Sequence, residues 1–485
     1  MSQQEDLRGD RERKIARLRE LGVDPYPSQT NRTHEIAAVR TQFAELVDSH
    51  EVVCVAGRVL AWREHGAIAF MDLFDGTGKV QAFCSREALG DELFSQLLEV
   101  VSTGDFVSVT GVAYVTKRGT QAILVQNWMV LSKALQNIPT EHFGIKDEDE
   151  RYRKRYLDLL LSEEVRSMAY KRAKFWQAVR QFHIDRGFLE VHTPTLEITT
   201  GGGDATPFAT HHNALDLDVY LRISAGELWQ KRLMVAGFPK TFEVGRIFRN
   251  EGMSAEHAQE YEQCEAYWAY ADWRMMATFL RECYQYVAHE TFGTLQFSIR
   301  GFEVDLAGEW PEIDYATVVQ EKTSIDIWTA SEDEMKARLV ALGVQYSGAD
   351  NRERLIDTLW KYCRKQIGGP AILINEPKLL SPLAKTNPHD ERVVERFHFV
   401  IAGSEVGQGY SELNDPIDQR ERFAAQQALR DAGDEEAQMA DWEFVEALEY
   451  GMPPTAGHGF SERLLAFLMD KPIREIQLFP LMRPK

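Results

Sequence analysis

Basic charge is what this sequence has too little of. Fifty-five Lys and Arg stand against 75 Asp and Glu, a net charge of -20, which argues against general adhesion to nucleic acid or membranes and confines any RNA contact to a local patch. Cysteine is sparse as well. Cys54, Cys84, Cys264, Cys283 and Cys363 are widely spaced, with no C-x-x-C pair, so ordinary core thiols in a reducing compartment are expected rather than a disulfide framework or a zinc site. No stretch reaches the ~18 apolar residues of a membrane span, and MSQQEDLRGDRERKIARLRELG at the start holds no apolar leader segment. A cytoplasmic protein without membrane attachment is expected. There is no G-x-x-x-x-G-K-[ST] loop and no Rossmann glycine fingerprint opening a helix, so any nucleotide site must be of another kind.

What is present is enough for large cores. The chain has 485 residues, 44% hydrophobic and 27% charged, and single cores stop growing near ~250 to 300 residues, so at least two domains are expected. Residues 8–21 place Ile15, Leu18 and Leu21 at helical spacing before Gly22, which predicts a short amphipathic helix within an N-terminal arm, residues 1–50. Its six basic residues suit either RNA phosphate or a solvated face. Over 51–133 the text changes to five short β-branched and aromatic runs, with the helical segment REALGDELFSQLLEVV after the third. That is the order of a five-stranded OB-fold barrel, whose face binds oligonucleotides. Between 51 and 131 there are six Lys/Arg against nine Asp/Glu, so binding there would rest on base stacking and a few hydrogen bonds. A charge-dense linker, 134–160, leads to a larger domain, 161–485, that opens with a long helix (about 162–186) and lacks regular βαβ alternation. An α+β fold with a largely antiparallel sheet is expected, carrying a helical insertion at about 330–368.

The strongest candidate for a site is FEVGRIFRNEGMSAEHAQEYEQCEAYWAYAD, two strand-like runs around a polar loop. Period-two parity puts Glu243, Gly245, Ile247, Arg249 and Glu251 on one face of the first run, and Tyr261, Gln263, Glu265 and Tyr267 on one face of the second. Such a surface is either a site or a solvent-facing sheet with salt bridges, because unpaired buried charge is expensive. In GSEVGQGYSELND, Gln408, Tyr410 and Glu412 share parity, and Glu405 joins them only if a bulge intervenes. GHGFSERLLAFLM reads as a glycine turn opening a helix, with Arg463 near the unfavourable end of the dipole, which suggests an anionic partner or a salt bridge. His211 and His212 are adjacent on a predicted strand, point to opposite faces, and are assigned to structure.

RIFRNEG, YWAYAD, GYSELND, PPTAGHG and FPLMRP, with RYRKRYLDL and THHNALDLDVYLRI, resemble class II lysyl-tRNA synthetases in order and spacing from about residue 11 onward. The resemblance implies an N-terminal OB-fold that reads the anticodon, a catalytic domain on a six-stranded antiparallel sheet, and a homodimer whose interface includes GFLEVHTP with Pro194. It implies an ATP-dependent ligase joining lysine to tRNA(Lys). By that resemblance Arg249 contacts the α-phosphate and the lysine carboxylate, Glu251 takes the adenine amino group, Tyr261 stacks on the ring, and His257 and Arg463 hold the triphosphate. Gly202, Glu227 and Glu265 receive the α-amino group, Tyr267 and Glu412 the ε-ammonium, and Gln408 and Tyr410 complete the lysine pocket. Glu405 is the expected Mg²⁺ ligand, with His398 the second candidate. In the barrel, Phe70 stacks a uridine, Gln81 hydrogen-bonds it and Arg63 lies nearby.

The chain departs from the family pattern at several places. Glu256-His257 replaces Arg-His, Tyr261 stands for the usual Phe, Gln408 for Asn, His398 for a metal-binding glutamate, and Thr120 for an anticodon-reading Glu. The segment ISAGEL is one residue longer and the glycine segment before Arg463 one shorter. Competing readings are an aspartate- or asparagine-type synthetase, which would want a cation where Glu412 stands, a paralogue that lysylates a protein, and a non-catalytic RNA-binding protein.

Overall fold

The computed structural model describes residues 3–139, 144–203, 205–252, 254–347, 350–431 and 438–484, and the chain forms two compact units, 1–163 and 164–485. In the first, β1 (Val52–His65), β2 (Ile68–Phe74), β3 (Lys79–Ser85), β4 (Phe106–Val115) and β5 (Gln121–Ser132) close a barrel in the order β1-β2-β3-β5-β4. Alternation does the sorting: Val80, Ala82 and Cys84 of β3 point into the core while Gln81 and Phe83 point out. A Cβ at Gly111 would sit 2.0 Å from the Leu124 carbonyl oxygen, so only glycine lets β4 and β5 approach there. The N-terminal helix, Gln3–Glu20, buries Ile15 and Leu18. Three of its basic residues are spent on this same unit: Arg11 bonds the Thr103 carbonyl at 2.9 Å, Lys14 bonds Ser102 at 3.0 Å, and Arg17 pairs with Glu99 at 2.9 Å. These cations thus fasten the helix, a use that neither expectation for this face included.

The second unit is built on eight strands where six were expected. They are β6 (Leu189–Glu190), β7 (Lys240–Phe248), β8 (Glu260–Ala269), β9 (Glu312–Asp314), β10 (Ala371–Ile374), β11 (Arg396–Ile401), β12 (Ser404–Ser411) and β13 (Thr455–Ser461). The order is β9-β10-β11-β12-β13-β8-β7-β6. The six central strands are all antiparallel, and the additions are short parallel strands at the two edges. Segments as short as Leu189–Glu190 carry no period to read, which is why the sequence does not announce them. The helices Glu163–Ile184 and Trp273–Phe292 supply Phe182, His183 and Phe279 to an aromatic cluster with Phe242 and His458 of the sheet. The helices Glu332–Ala341 and Arg352–Arg364 share a separate core with Tyr315 and Leu373.

One segment contradicts the expectation from sequence. GHGFS is not a turn but part of β13, paired on both sides, and only Arg463–Leu468 beyond it is helical. Glycine usually weakens a strand. Here its missing side chains make room for those of both neighbours: a Cβ at Gly457 would lie 2.5 Å from Glu412 Oε1 and 2.6 Å from Tyr267.

Candidate active site

Register across the sheet assembles the site in two rows. The first runs Glu243, Glu265, Gly459, Gln408, His398 over β7, β8, β13, β12 and β11, and the second runs Thr241, Tyr267, Gly457, Tyr410, Arg396. Glycine stands at the middle of each row, so the sheet surface becomes a trough between Glu265 and Tyr267 on one side and Gln408 and Tyr410 on the other. A bulge in β12 pairs Phe399 with Gly407 but Val400 with Glu405, which turns Glu405 onto the same face. The resulting cavity, about 290 Å³, is lined by Gly202, Glu227, Arg249, Tyr261, Glu265, Tyr267, His398, Glu405, Gln408, Tyr410, Glu412 and Arg463. Twelve of the fourteen residues expected at the catalytic centre therefore meet in one place. Glu251 and His257 are not among the lining residues: both follow β7 on the connecting loop, where His257 Nδ1 contacts Ser254 Oγ at 2.7 Å. The face is buried or half-buried rather than solvated, and its carboxylates Glu243 and Glu265 are held by partners. Glu243 is a brace rather than a ligand group: Arg222 pairs with it at 2.5 Å and Thr193 donates to it through both N–H and hydroxyl.

One end of the cavity is acidic. Glu227 opens the helix Glu227–Val235, and Tyr410 donates its hydroxyl to it. Glu265 accepts from the Ala225 N–H at 2.8 Å and the Tyr267 hydroxyl at 3.0 Å. Glu412 is 2% exposed, neither of its oxygens has a hydrogen-bond partner among the described residues, and its Oε2 lies 2.5 Å from Lys231 Nζ. Lys231 also reaches Glu227, at 2.7 Å. With all three carboxylates ionised, the one ammonium leaves an excess of two negative charges in a desolvated pocket. Burial, and then Glu227, push Glu265 up to about 7. Burial pushes Glu412 up to about 8 against the pull of Lys231. Gly202, at φ +87°, closes this end because a Cβ there would meet Ser224 Oγ at 2.6 Å and Glu227 Oε2 at 2.7 Å.

The other end is cationic. Arg249 follows β7, donates to the Ile223 carbonyl at 3.3 Å and lies 5.9 Å from the Tyr261 ring. Arg463 donates to the Glu405 carbonyl at 3.3 Å and its buried Nε has no partner among the described residues. Glu256 turns to Arg300, at 2.5 Å, and accepts from Ser404 Oγ at 2.6 Å; burial raises its carboxyl, but these two bonds outweigh that and leave it below the ordinary value. Arg364 joins the same group through Ser404 Oγ at 3.0 Å. His398 faces Glu376, at 3.3 Å, and stands 3.8 Å from Glu405. Glu405 is further held by Trp360 Nε1. Burial raises the Glu405 carboxyl and nearby His398 and Arg364 lower it by more, so it sits below the ordinary carboxylate value. An elongated trough with two surplus negative charges at one end and arginines at the other can hold a dication by its ammonium groups and present an anion to the arginines.

Several participants were not anticipated. Lys231 sits four residues after Glu227, a spacing that on most helices marks an exposed pair, and only the apolar residues around it, Leu228 and Met234, hint at burial. Gln263, placed on this face by parity, donates to Glu265 at 2.5 Å, a contact that parity does not give. Arg396 holds Gln408 through Oε1 and Glu376 at 2.9 Å, so Gln408 is fixed from the strand beside it. His211 pairs with Asp218 at 2.8 Å on an exposed strand, as its structural assignment expects, and all five cysteines are buried and unpaired.

On the barrel, Arg63 pairs with Phe70 in register, Phe70 with Phe83, and Asp72 with Gln81. The predicted trio therefore shares one face. Phe70 stacks on Phe83 at 5.2 Å, Phe83 on Tyr114 at 5.5 Å, and Asp72 holds Arg63 at 2.8 Å and Gln81 at 3.4 Å. No helix of the described residues is long and apolar enough to cross a membrane.

Known proteins resemble this chain over almost its full length. Residues 53–131 match the OB-fold nucleic acid binding domain. The lysine–tRNA ligase of Thermotoga maritima is 40% identical over 487 residues, covering 99% of this chain and 96% of its own. Those of Roseiflexus sp. (strain RS-1) and Moorella thermoacetica are each 41% identical over 485 residues, with 99% of this chain and 99% and 98% of theirs covered. Residues 147–483 match the model of the class II tRNA synthetases for D, K and N, and the chain belongs to that family.

Proposed function

We propose that this chain is a lysine–tRNA ligase, which activates lysine with ATP and passes the lysyl group to the 3′ end of tRNA(Lys). The observation that carries the choice of amino acid is the acidic end of the trough. Glu227, Glu265 and Glu412 against Lys231 leave two charges to be met, and lysine brings two ammonium groups. Aspartate or asparagine would place a carboxylate or amide against Glu412, which favours neither.

In this reading Gly202, Glu227 and Glu265 take the α-amino group, Tyr267 and Glu412 the ε-ammonium, and Gln408 and Tyr410 the stem of the side chain. Arg249 holds the lysine carboxylate beside the α-phosphate. A carboxylate oxygen attacks that phosphorus, and pyrophosphate leaves. No protein nucleophile is required: the chain supplies position, and Arg249 and Arg463 supply charge. Glu251 and Tyr261 hold the adenine, and His257 assists Arg463 at the triphosphate. The tRNA's terminal ribose hydroxyl then attacks the acyl carbon and AMP departs.

A divalent ion fits this site through one residue. Mg²⁺ takes oxygen ligands, commonly one or two carboxylates with substrate phosphates and water. Glu405 is ionised and its bond to Trp360 fixes its direction, whereas His398 is an imidazole turned to Glu376. Glu405 is therefore the Mg²⁺ ligand proposed, and the ion would neutralise phosphate charge.

On the barrel, Phe70 stacks an anticodon base while Gln81 and Arg63 bond its edge, a mode that suits an acidic protein because stacking on one ring is worth ~1 to 3 kcal/mol. A cytoplasmic homodimer completes the proposal. Ile184, Leu189, Leu196 and Ile198 are each half or more exposed around Pro194, an apolar stretch that a second copy would cover. Charging of purified tRNA(Lys) with radiolabelled lysine tests the proposal; acceptance of lysine by a protein instead of tRNA would replace it with the paralogue reading.

A further inference from the structure

Lys231 lies outside the cavity wall, 1% exposed, behind the two carboxylates at the acidic end. Its ammonium touches Glu227 at 2.7 Å and Glu412 at 2.5 Å and lies 5.4 Å to 6.0 Å from the rings of Tyr410, Phe444 and Tyr267. Burial alone would discharge it, yet the attraction of Glu227 and Glu412 outweighs burial and holds it charged. Every charged group against it is thus a residue of the pocket proposed for lysine. The outcome is directional: Oε2 of Glu412 lies against Lys231 Nζ and Oε1 lies toward Gly457 on the cavity side, and among the described residues neither buried oxygen has a hydrogen-bond partner.

We infer that Lys231 is a positioning residue that sets the specificity of this pocket for a diamino acid. It works in two ways. As a fixed charge it satisfies one of three carboxylates, so the remaining excess matches two incoming ammonium groups rather than three or one. As an anchor it pins Glu412 Oε2, which leaves Oε1 facing the end of the trough at the reach of an ε-ammonium. Without Lys231 the three carboxylates face one another in a desolvated site, and Glu412, already raised by burial, holds its proton more tightly against the substrate's ammonium. This inference rests on the lysine reading above. Failure of the wild-type chain to exchange with lysine would remove that reading, whereas a normal wild type with an indifferent variant would remove only the role of Lys231.

The test is Lys231→Met in the ATP–pyrophosphate exchange assay, with the full chain. The expected result is a KM for lysine raised by about tenfold or more, with the KM for ATP within about twofold of wild type, which also reports an intact fold. Should that variant not fold, Lys231→Gln takes its place, keeping a polar end for Glu227 without the charge. A second arm separates charge from packing: methylammonium added to Lys231→Ala restores lysine-dependent exchange, while methanol or potassium chloride does not, and the wild type gains nothing. A lysine KM unchanged in the neutral variants, or equal rescue by methanol, overturns the inference.

Discussion

Glu412→Gln is the substitution that bears most directly on the choice of amino acid. The amide keeps the shape and one acceptor but removes the charge that the ε-ammonium and Lys231 share. At an effective dielectric near 20, a charge pair ~3 Å apart is worth about 5 to 6 kcal/mol. Desolvation takes back part of this, and removing one partner of a buried pair costs about 3 to 5 kcal/mol. Because the amide oxygen still accepts a hydrogen bond, the lower figure applies, and about 3 kcal/mol is about a hundredfold in affinity. In steady-state ATP–pyrophosphate exchange, Glu412→Gln therefore raises the KM for lysine about a hundredfold, with the KM for ATP within about twofold. A lysine KM within about threefold of wild type, or a loss that falls equally on ATP, would refute the assignment of Glu412 to the ε-ammonium.

Four further outcomes are expected. Burial and Glu227 set Glu265 at about 7 and burial sets Glu412 at about 8, and the ammonium groups need the ionised forms, so kcat/KM for lysine rises with pH through both values and levels only above about 8; a flat profile from pH ~6 to ~8 excludes this. The folded value of Glu265 also lies above the ~4.3 of a free glutamate, so the stability tied to the protonated form is complete below that and is lost as pH rises to about 7. Glu265→Gln without ligand consequently unfolds at a higher temperature than wild type near pH ~8, measured by calorimetry, while binding lysine less well. Gly202→Ala, at φ +87° and with its Cβ 2.6 Å from Ser224 Oγ, raises the lysine KM about tenfold to a hundredfold, since strain and overpacking cost about 1 to 3 kcal/mol. Phe70→Ala leaves pyrophosphate exchange unchanged and raises the KM for tRNA about tenfold to a hundredfold in the charging assay, from the loss of ~1 to 3 kcal/mol of stacking.

The barrel and the antiparallel character of the large sheet were legible because their strands are long enough to show a period. Parity along Tyr261 to Tyr267 named the residues of β8 that face the cavity, and Gln408, Tyr410 and Glu412 likewise. Parity says nothing about partners. It grouped Glu243 with Glu265, yet Arg222 and Thr193, distant in sequence, make Glu243 part of the frame. Glu405 required a bulge that side-chain alternation cannot reveal. Strand β13 was hidden because Gly457 and Gly459 read as turn residues, whereas their function in the fold is to leave the space that Glu412, Tyr267 and Glu265 occupy. Lys231 escaped for a related reason: the spacing that marks a solvated ion pair is the same when the helix is buried.

The central measurement is ATP–pyrophosphate exchange with each of the twenty amino acids, followed by charging of tRNA. Exchange with lysine above all others, and lysylation of tRNA(Lys), is the result expected from a trough with two unmet negative charges at one end and Arg249 and Arg463 at the other. Exchange with another amino acid, or with none, would contradict it.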